Sequence, residues 1–148
     1  MQVAEPLLVH LRRARDQVDR DYAQPLDLDA LAASAGVSKY HFLRCFAATY
    51  QKTPARYLAE RRVERAQDLL RATNLTVTEI CLLVGYTSLG SFSSKFRQLV
   101  GVSPSAYQAS FAATGAPYIP GCYVLMHGLS DRRAGSATSE KPAQAARA

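Results

Sequence analysis

Residues 36–57 read GVSKYHFLRCFAATYQKTPARY, and residues 85–107 read GYTSLGSFSSKFRQLVGVSPSAY. Laid over one another, they share one skeleton. Phe42 and Phe92 lie 50 positions apart, as do Phe46 and Phe96, Pro54 and Pro104, and Tyr57 and Tyr107. Gly36 and Gly85 lie 49 apart, so the second copy holds one more residue in its turn. Each copy reads as a glycine turn, a helix carrying two phenylalanines four positions apart, and a Thr-Pro or Ser-Pro start to the next helix. A unit that occurs twice is a tandem pair, not a solenoid.

Working outward, local signals set the remaining elements. Leu7, Leu8, Leu11, Ala14 and Val18 form an apolar stripe at helical spacing, which predicts a first helix over residues 4–20. Pro25 interrupts the chain, and Asp27 caps a short helix to Ala35 with Leu28, Leu31, Ala32 and Ala35 inward. Ser38 caps a helix running to Tyr50. Thr53 caps a long helix over 54–72, with Pro54 at its first position. Thr76 and Glu79 have capping-box spacing and open a short helix to Val84. A further helix runs from Ser88 to Val100, and the last from Pro104 to about Ala113. No alternating strand pattern competes, so the fold class is all-α, with about seven helices. The organisation is a first unit over 1–53, a linker helix over 54–72, a second unit over 73–113 and a tail over 114–148. The tail is poor in apolar bulk after residue 129 and reads as mostly disordered there.

A short helix, a glycine turn and a second helix make a helix-turn-helix. Ala32 and Cys81 are small enough for the two helices to approach. Leu31 with Val37, and Ile80 with Tyr86, would close the inner angle. At about 100° per residue, Phe42, Cys45 and Phe46 share one face of their helix. Tyr40 and Arg44 fall opposite, flanked by Leu43 and Ala47. In the second copy Phe92 and Phe96 face inward, while Gly90, Ser93, Ser94 and Arg97 face outward.

Outward faces of this kind enter the DNA major groove. Arg44 is a candidate for bidentate bonding to guanine, and Tyr40 and Leu43 for thymine methyls. Ser93 and Ser94 would read bases loosely. Ser38, Lys39, Lys95 and Arg97, with Arg61 and Arg65 of the linker, are candidates for phosphate contacts. The linker spans about 28 Å at 1.5 Å per residue, close to the ~34 Å between major grooves on one side of a duplex. One chain would then present two reading helices as a monomer.

The sequence Tyr57-Leu58-x-x-x-Arg62-Val63-x-x-Ala66-x-x-Leu69-Leu70, then Ile80-x-x-x-x-Gly85-Tyr86, Phe92-x-x-x-Phe96-Arg97 and Gly101-x-Ser103-Pro104-x-x-Tyr107 resembles the AraC/XylS family DNA-binding domain. The resemblance covers roughly residues 4–112. It implies a seven-helix, two-lobed bacterial transcription regulator, usually an activator, that binds double-stranded DNA through adjacent major grooves and contacts RNA polymerase. It further implies a stand-alone member, since about 25 residues precede the first helix-turn-helix and about 35 follow Ala113. The DNA-binding part of a longer effector-regulated protein would read the same way. A protein-interaction module on the same frame is the alternative, motivated by the plain second face and the apolar stretch 118–127.

Composition agrees with a globular domain of 148 residues, 48% of them apolar. The net charge of +6 is uneven. Residues 1–50 balance, and residues 51–100 carry eight basic against four acidic groups. That places the positive charge in the linker and second unit, where a nucleic acid would be met. No apolar run reaches the ~18 residues of a membrane span. Three scattered cysteines, Cys45, Cys81 and Cys122, make no disulfide framework, which points to the cytoplasm. His41 and Cys45 have the spacing of two metal ligands on one helix face. Cys45 aims at the core and no third ligand is near, so no metal is expected. No phosphate loop, paired carboxylates or nucleophile–base pattern appears, so no cofactor or enzymatic activity is expected.

Overall fold

The computed structural model describes residues 2–112. The expectations for the tail, including the 118–127 stretch and Cys122, lie outside them. Seven helices follow in order: α1 (Glu5–Arg20), α2 (Leu28–Ser34), α3 (Lys39–Tyr50), α4 (Pro54–Ala72), α5 (Val77–Leu83), α6 (Leu89–Val100) and α7 (Pro104–Ala112). The boundaries agree with the sequence reading to within a residue or two.

Side chains start six of the seven. Asp27 accepts from the Ala30 amide at 2.9 Å, Ser38 from His41 at 3.2 Å and Thr53 from Arg56 at 3.2 Å. Ser88 accepts from Ser91 at 3.3 Å and Ser103 from Ala106 at 3.2 Å. Thr76 and Glu79 complete a reciprocal capping box, at 3.2 Å and 2.7 Å. Each satisfies an amide that has no partner within its helix, worth ~1 kcal/mol apiece. α3 and α6 both end on a left-handed residue, Gln51 at φ 60° and Gly101 at φ 96°. Gln51 bears the non-glycine penalty of that conformation, and its side-chain amide donates to the Ala48 carbonyl at 3.0 Å.

The tandem repeat has a packing cause. In each copy the tyrosine after the proline meets the second phenylalanine edge-on. Tyr57 sits 6.1 Å from Phe46, and Tyr107 sits 5.6 Å from Phe96. Both prolines and all four phenylalanines are buried. One core gathers Leu11, Ala14, Leu31, Ala32, Phe42, Cys45 and Phe46. The other gathers Val18, Tyr22, most of the buried face of α4, and Ile80, Cys81, Val84, Phe92 and Phe96. Core membership therefore does not follow the chain division at residue 53. α1 feeds both cores, with Leu11 and Ala14 in the first and Val18 in the second. Tyr57 touches both as well.

α1 and α4 are also joined by polar contacts. The Tyr57 hydroxyl donates to both carboxylate oxygens of Asp19, at 2.9 and 3.0 Å. Burial, and then this bond to an anion, push Tyr57 from 10 up to about 12. A folded value above the unfolded one means the stabilisation is complete below pH 10 and is lost as pH rises from there to about 12. Thermal midpoints across that range should fall more steeply for the wild type than for Tyr57→Phe. Parallel curves would contradict the assignment.

Candidate nucleic-acid interface

The α3 face is set by its anchors. Phe42, Cys45 and Phe46 are buried on one side, so Tyr40 and Arg44 are turned outward. Tyr40 is 71% exposed. The Arg44 guanidinium lies over its ring at 5.6 Å, a cation–π pair that holds both side chains together on the surface. Leu43 is half-buried at the rim, and His41 is exposed. His41 Nε2 is 3.5 Å from the Cys45 thiol. Among the described residues no three or more His, Cys, Asp or Glu side chains gather as metal ligands. Ser38 is occupied as the cap, and Lys39 pairs with Asp29 of α2 at 3.3 Å.

The α6 face follows the same logic. Phe92 and Phe96 are buried, Ser94, Arg97 and Gln98 are exposed, and Ser93 and Lys95 are half-buried. Lys95 donates to Gln98 at 3.0 Å. Leu89 is 44% exposed and was not singled out from sequence. Helical arithmetic sets it only about 60° from Phe92, on the core side. It is exposed because it is the first residue of the helix.

The linker arginines Arg61 and Arg65 are engaged within the fold. Arg61 and Arg65 were candidates for phosphate contacts. Their side chains are only 16% and 11% exposed. Arg61 lies 3.5 Å from Asp19 and 3.4 Å from Glu64, and Arg65 lies 3.7 Å from Asp68. Largely covered and set beside carboxylates, they would have to leave these pairs to meet a phosphate. The other linker cations, and Lys52 just before the helix, are committed too. Arg56 and Lys52 pair with Glu60, and Arg71 pairs with Asp68. Arg62 donates to the backbone carbonyls of Tyr22 at 2.6 Å and Gln24 at 2.9 Å, and stacks on Tyr86 at 5.3 Å. Burial lowers its pKa from the usual value. Arg62 thus clamps α4 to the α1–α2 connection, a role that its sequence position does not reveal.

That pairing redistributes the positive charge. Of the eight cations in residues 51–100, Lys95 and Arg97 make neither an ion pair nor a bond to a backbone carbonyl among the described residues. Both lie on α6. α6 therefore presents cations with no carboxylate beside them, while the linker segment keeps an excess of cations over the carboxylates they share. Arg44, which also forms no ion pair among the described residues, supplies such a cation on α3.

The geometry can be compared with known proteins. A family model described as a helix-turn-helix domain matches residues 31–110. The regulatory protein SoxS of Escherichia coli K12 is 33% identical over 91 residues, which cover 62% of this chain and 85% of SoxS. The DNA-binding domain of the global transcriptional factor AdpA, crystallised with a target DNA, superposes with a TM-score of 0.61 at 30% identity, covering 75% of this chain and 96% of that one. A transcriptional regulator with an AraC-type DNA-binding domain from Chromobacterium violaceum gives a TM-score of 0.64 at 30% identity, covering 71% of this chain and 94% of that one. Other relatives are much longer: the chain spans about a quarter of a Pseudomonas aeruginosa regulator that it matches at 31% identity over 87 residues. No helix among the described residues is long and apolar enough to cross a membrane. With the helix-turn-helix model covering more than half its length and most of SoxS aligned to it, the chain belongs to the AraC/XylS family of helix-turn-helix transcription regulators.

Proposed function

We propose that this chain is a non-enzymatic, cytoplasmic transcription regulator, an activator, that binds specific double-stranded DNA as a monomer and contacts RNA polymerase. α3 and α6 lie in adjacent major grooves of the duplex. The observation that carries this reading is the pair of phenylalanine-anchored helices with outward polar faces, in two helix-turn-helix units joined by one helix of 19 residues. The AdpA domain, similar over 75% of this chain, was crystallised on DNA. Arg44 reads a guanine, and Tyr40 and Leu43 cover thymine methyls beside it. Ser93 and Ser94 read loosely on the second side. Ser38, Lys39, Lys95 and Arg97 hold phosphates. Lys39 must leave Asp29 to do so, which costs little because both groups of that pair are exposed.

The roles separate on mutation. Arg44→Ala should lower cognate affinity by ~1–3 kcal/mol and leave random DNA nearly unaffected, because a bidentate base contact is lost. Lys95→Ala should weaken every sequence alike and reduce the salt slope by about one unit. Fluorescence anisotropy on cognate and scrambled duplexes over a salt series measures both. Equal losses on the two duplexes for Arg44→Ala would remove it from the base-reading set.

A further inference from the structure

Four glycines lie among the described residues, and three of them have a conformational reason. Gly36, Gly85 and Gly101 have φ of 68°, 100° and 96°, which L-residues seldom adopt. Gly90 has none. It lies in the first turn of α6, and its φ is not positive. A Cβ built there would meet only the Ser88 hydroxyl, at 3.8 Å, an ordinary contact. Glycine also weakens a helix relative to alanine. The fold therefore has no use for a missing side chain at this position.

The repeat sharpens the contrast. Fifty residues earlier the equivalent place holds Tyr40, a large side chain that is 71% exposed. The same frame presents a large aromatic ring in one copy and bare backbone in the other. Both positions lie in the middle of the outward face, about 160° from the first phenylalanine of their helix. The neighbours of Gly90 on that face, Ser94 and Ser93, are small as well.

We infer that Gly90 is the point of closest approach between α6 and DNA. The inference rests on the DNA-binding reading above. With no side chain between them, the α6 backbone seats against the floor of the major groove, a depth that a single methyl group would prevent. The second block of the site is then selected by how well its groove accepts the bare helix, and the first by the Tyr40–Arg44 pair. Lys95 and Arg97, farther along α6, grip the phosphates at the groove edges.

The test is Gly90→Ala, assayed on the duplex that the wild-type protein enriches from a random pool. Thermal unfolding should show a midpoint equal to or above that of the wild type. Affinity for the full site should fall about tenfold or more, the scale of forcing an added methyl into a close-packed contact. Affinity for a duplex that keeps only the α3 block should not change. Gly90→Ser should behave like Gly90→Ala. Full-site binding equal to the wild type would overturn the inference. So would a lowered midpoint, since the glycine would then serve the fold. A wild-type protein that enriches no sequence would instead sink the DNA-binding reading itself, and this inference with it.

Discussion

Replacing Gly85 by alanine is expected to destabilise the fold by about 2–5 kcal/mol, as read from urea unfolding. Two costs add. The residue sits at φ 100°, so an L-side chain is strained there. Its Cβ would also fall 2.7 Å from the Ala23 carbonyl oxygen and 2.9 Å from the Ala23 Cα. Those are backbone atoms, which cannot swing aside as a flexible side chain would. Gly36 is the internal control. It occupies the same turn of the first unit at φ 68°, with nothing within 4 Å of a built Cβ. Gly36→Ala should cost only the conformational part, ~1–2 kcal/mol. Equal losses at the two sites would mean that the Ala23 approach contributes nothing.

Arg62→Ala should cost about 3 kcal/mol or more, because hydrogen bonds to a charged group are worth ~1.5–3 kcal/mol. Two carbonyls, those of Tyr22 and Gln24, lose a half-buried charged donor, and Tyr86 loses the cation stacked on it. Arg62→Lys should recover only part of the loss. An ammonium keeps the charge but lacks the planar fork that reaches both carbonyls while lying over the ring. The two predictions are linked. Ala23 stands between the residues whose carbonyls Arg62 holds, and Ala23 is what Gly85 abuts. Arg62 thus presses the α1–α2 connection onto the second turn, which fixes one helix-turn-helix against the other. The double variant should lose less than the sum of the single losses. Strict additivity would contradict a shared segment.

Much of this architecture was legible in the sequence, for identifiable reasons. Caps are local, so Asp27, Ser38, Thr53, Thr76, Ser88 and Ser103 marked helix starts that the structure repeats. Helical arithmetic is local as well, so the split between Phe42, Cys45 and Phe46 inside and Tyr40 and Arg44 outside needed no tertiary information. The 50-residue repeat exposed the tyrosine that packs edge-on against each second phenylalanine.

What escaped depends on partners far along the chain. Charge alone does not reveal that Arg61 meets Asp19, or that Arg62 meets the carbonyls of Tyr22 and Gln24. Those pairs are about 40 residues apart, and no periodicity links them. Counting arginines therefore does not tell which of them are engaged within the fold. The turn conformation of Gly85 could be read, but its approach to Ala23 could not. Nor could the sharing of α1 between two cores, because one continuous stripe serves both. Leu89 was missed because face arithmetic assumes that a core extends along the whole helix.

The most direct test of bipartite, sequence-specific reading is selection of bound duplexes from a random pool by the purified chain at one stated salt concentration. The expected result is an enriched site of two blocks with centres about one helical turn, ~10 base pairs, apart, bound by one chain per duplex. The block under α3 should hold a guanine whose selection disappears in Arg44→Ala. A pool with no enriched sequence, or one in which Arg44→Ala enriches the same site as the wild type, would contradict it.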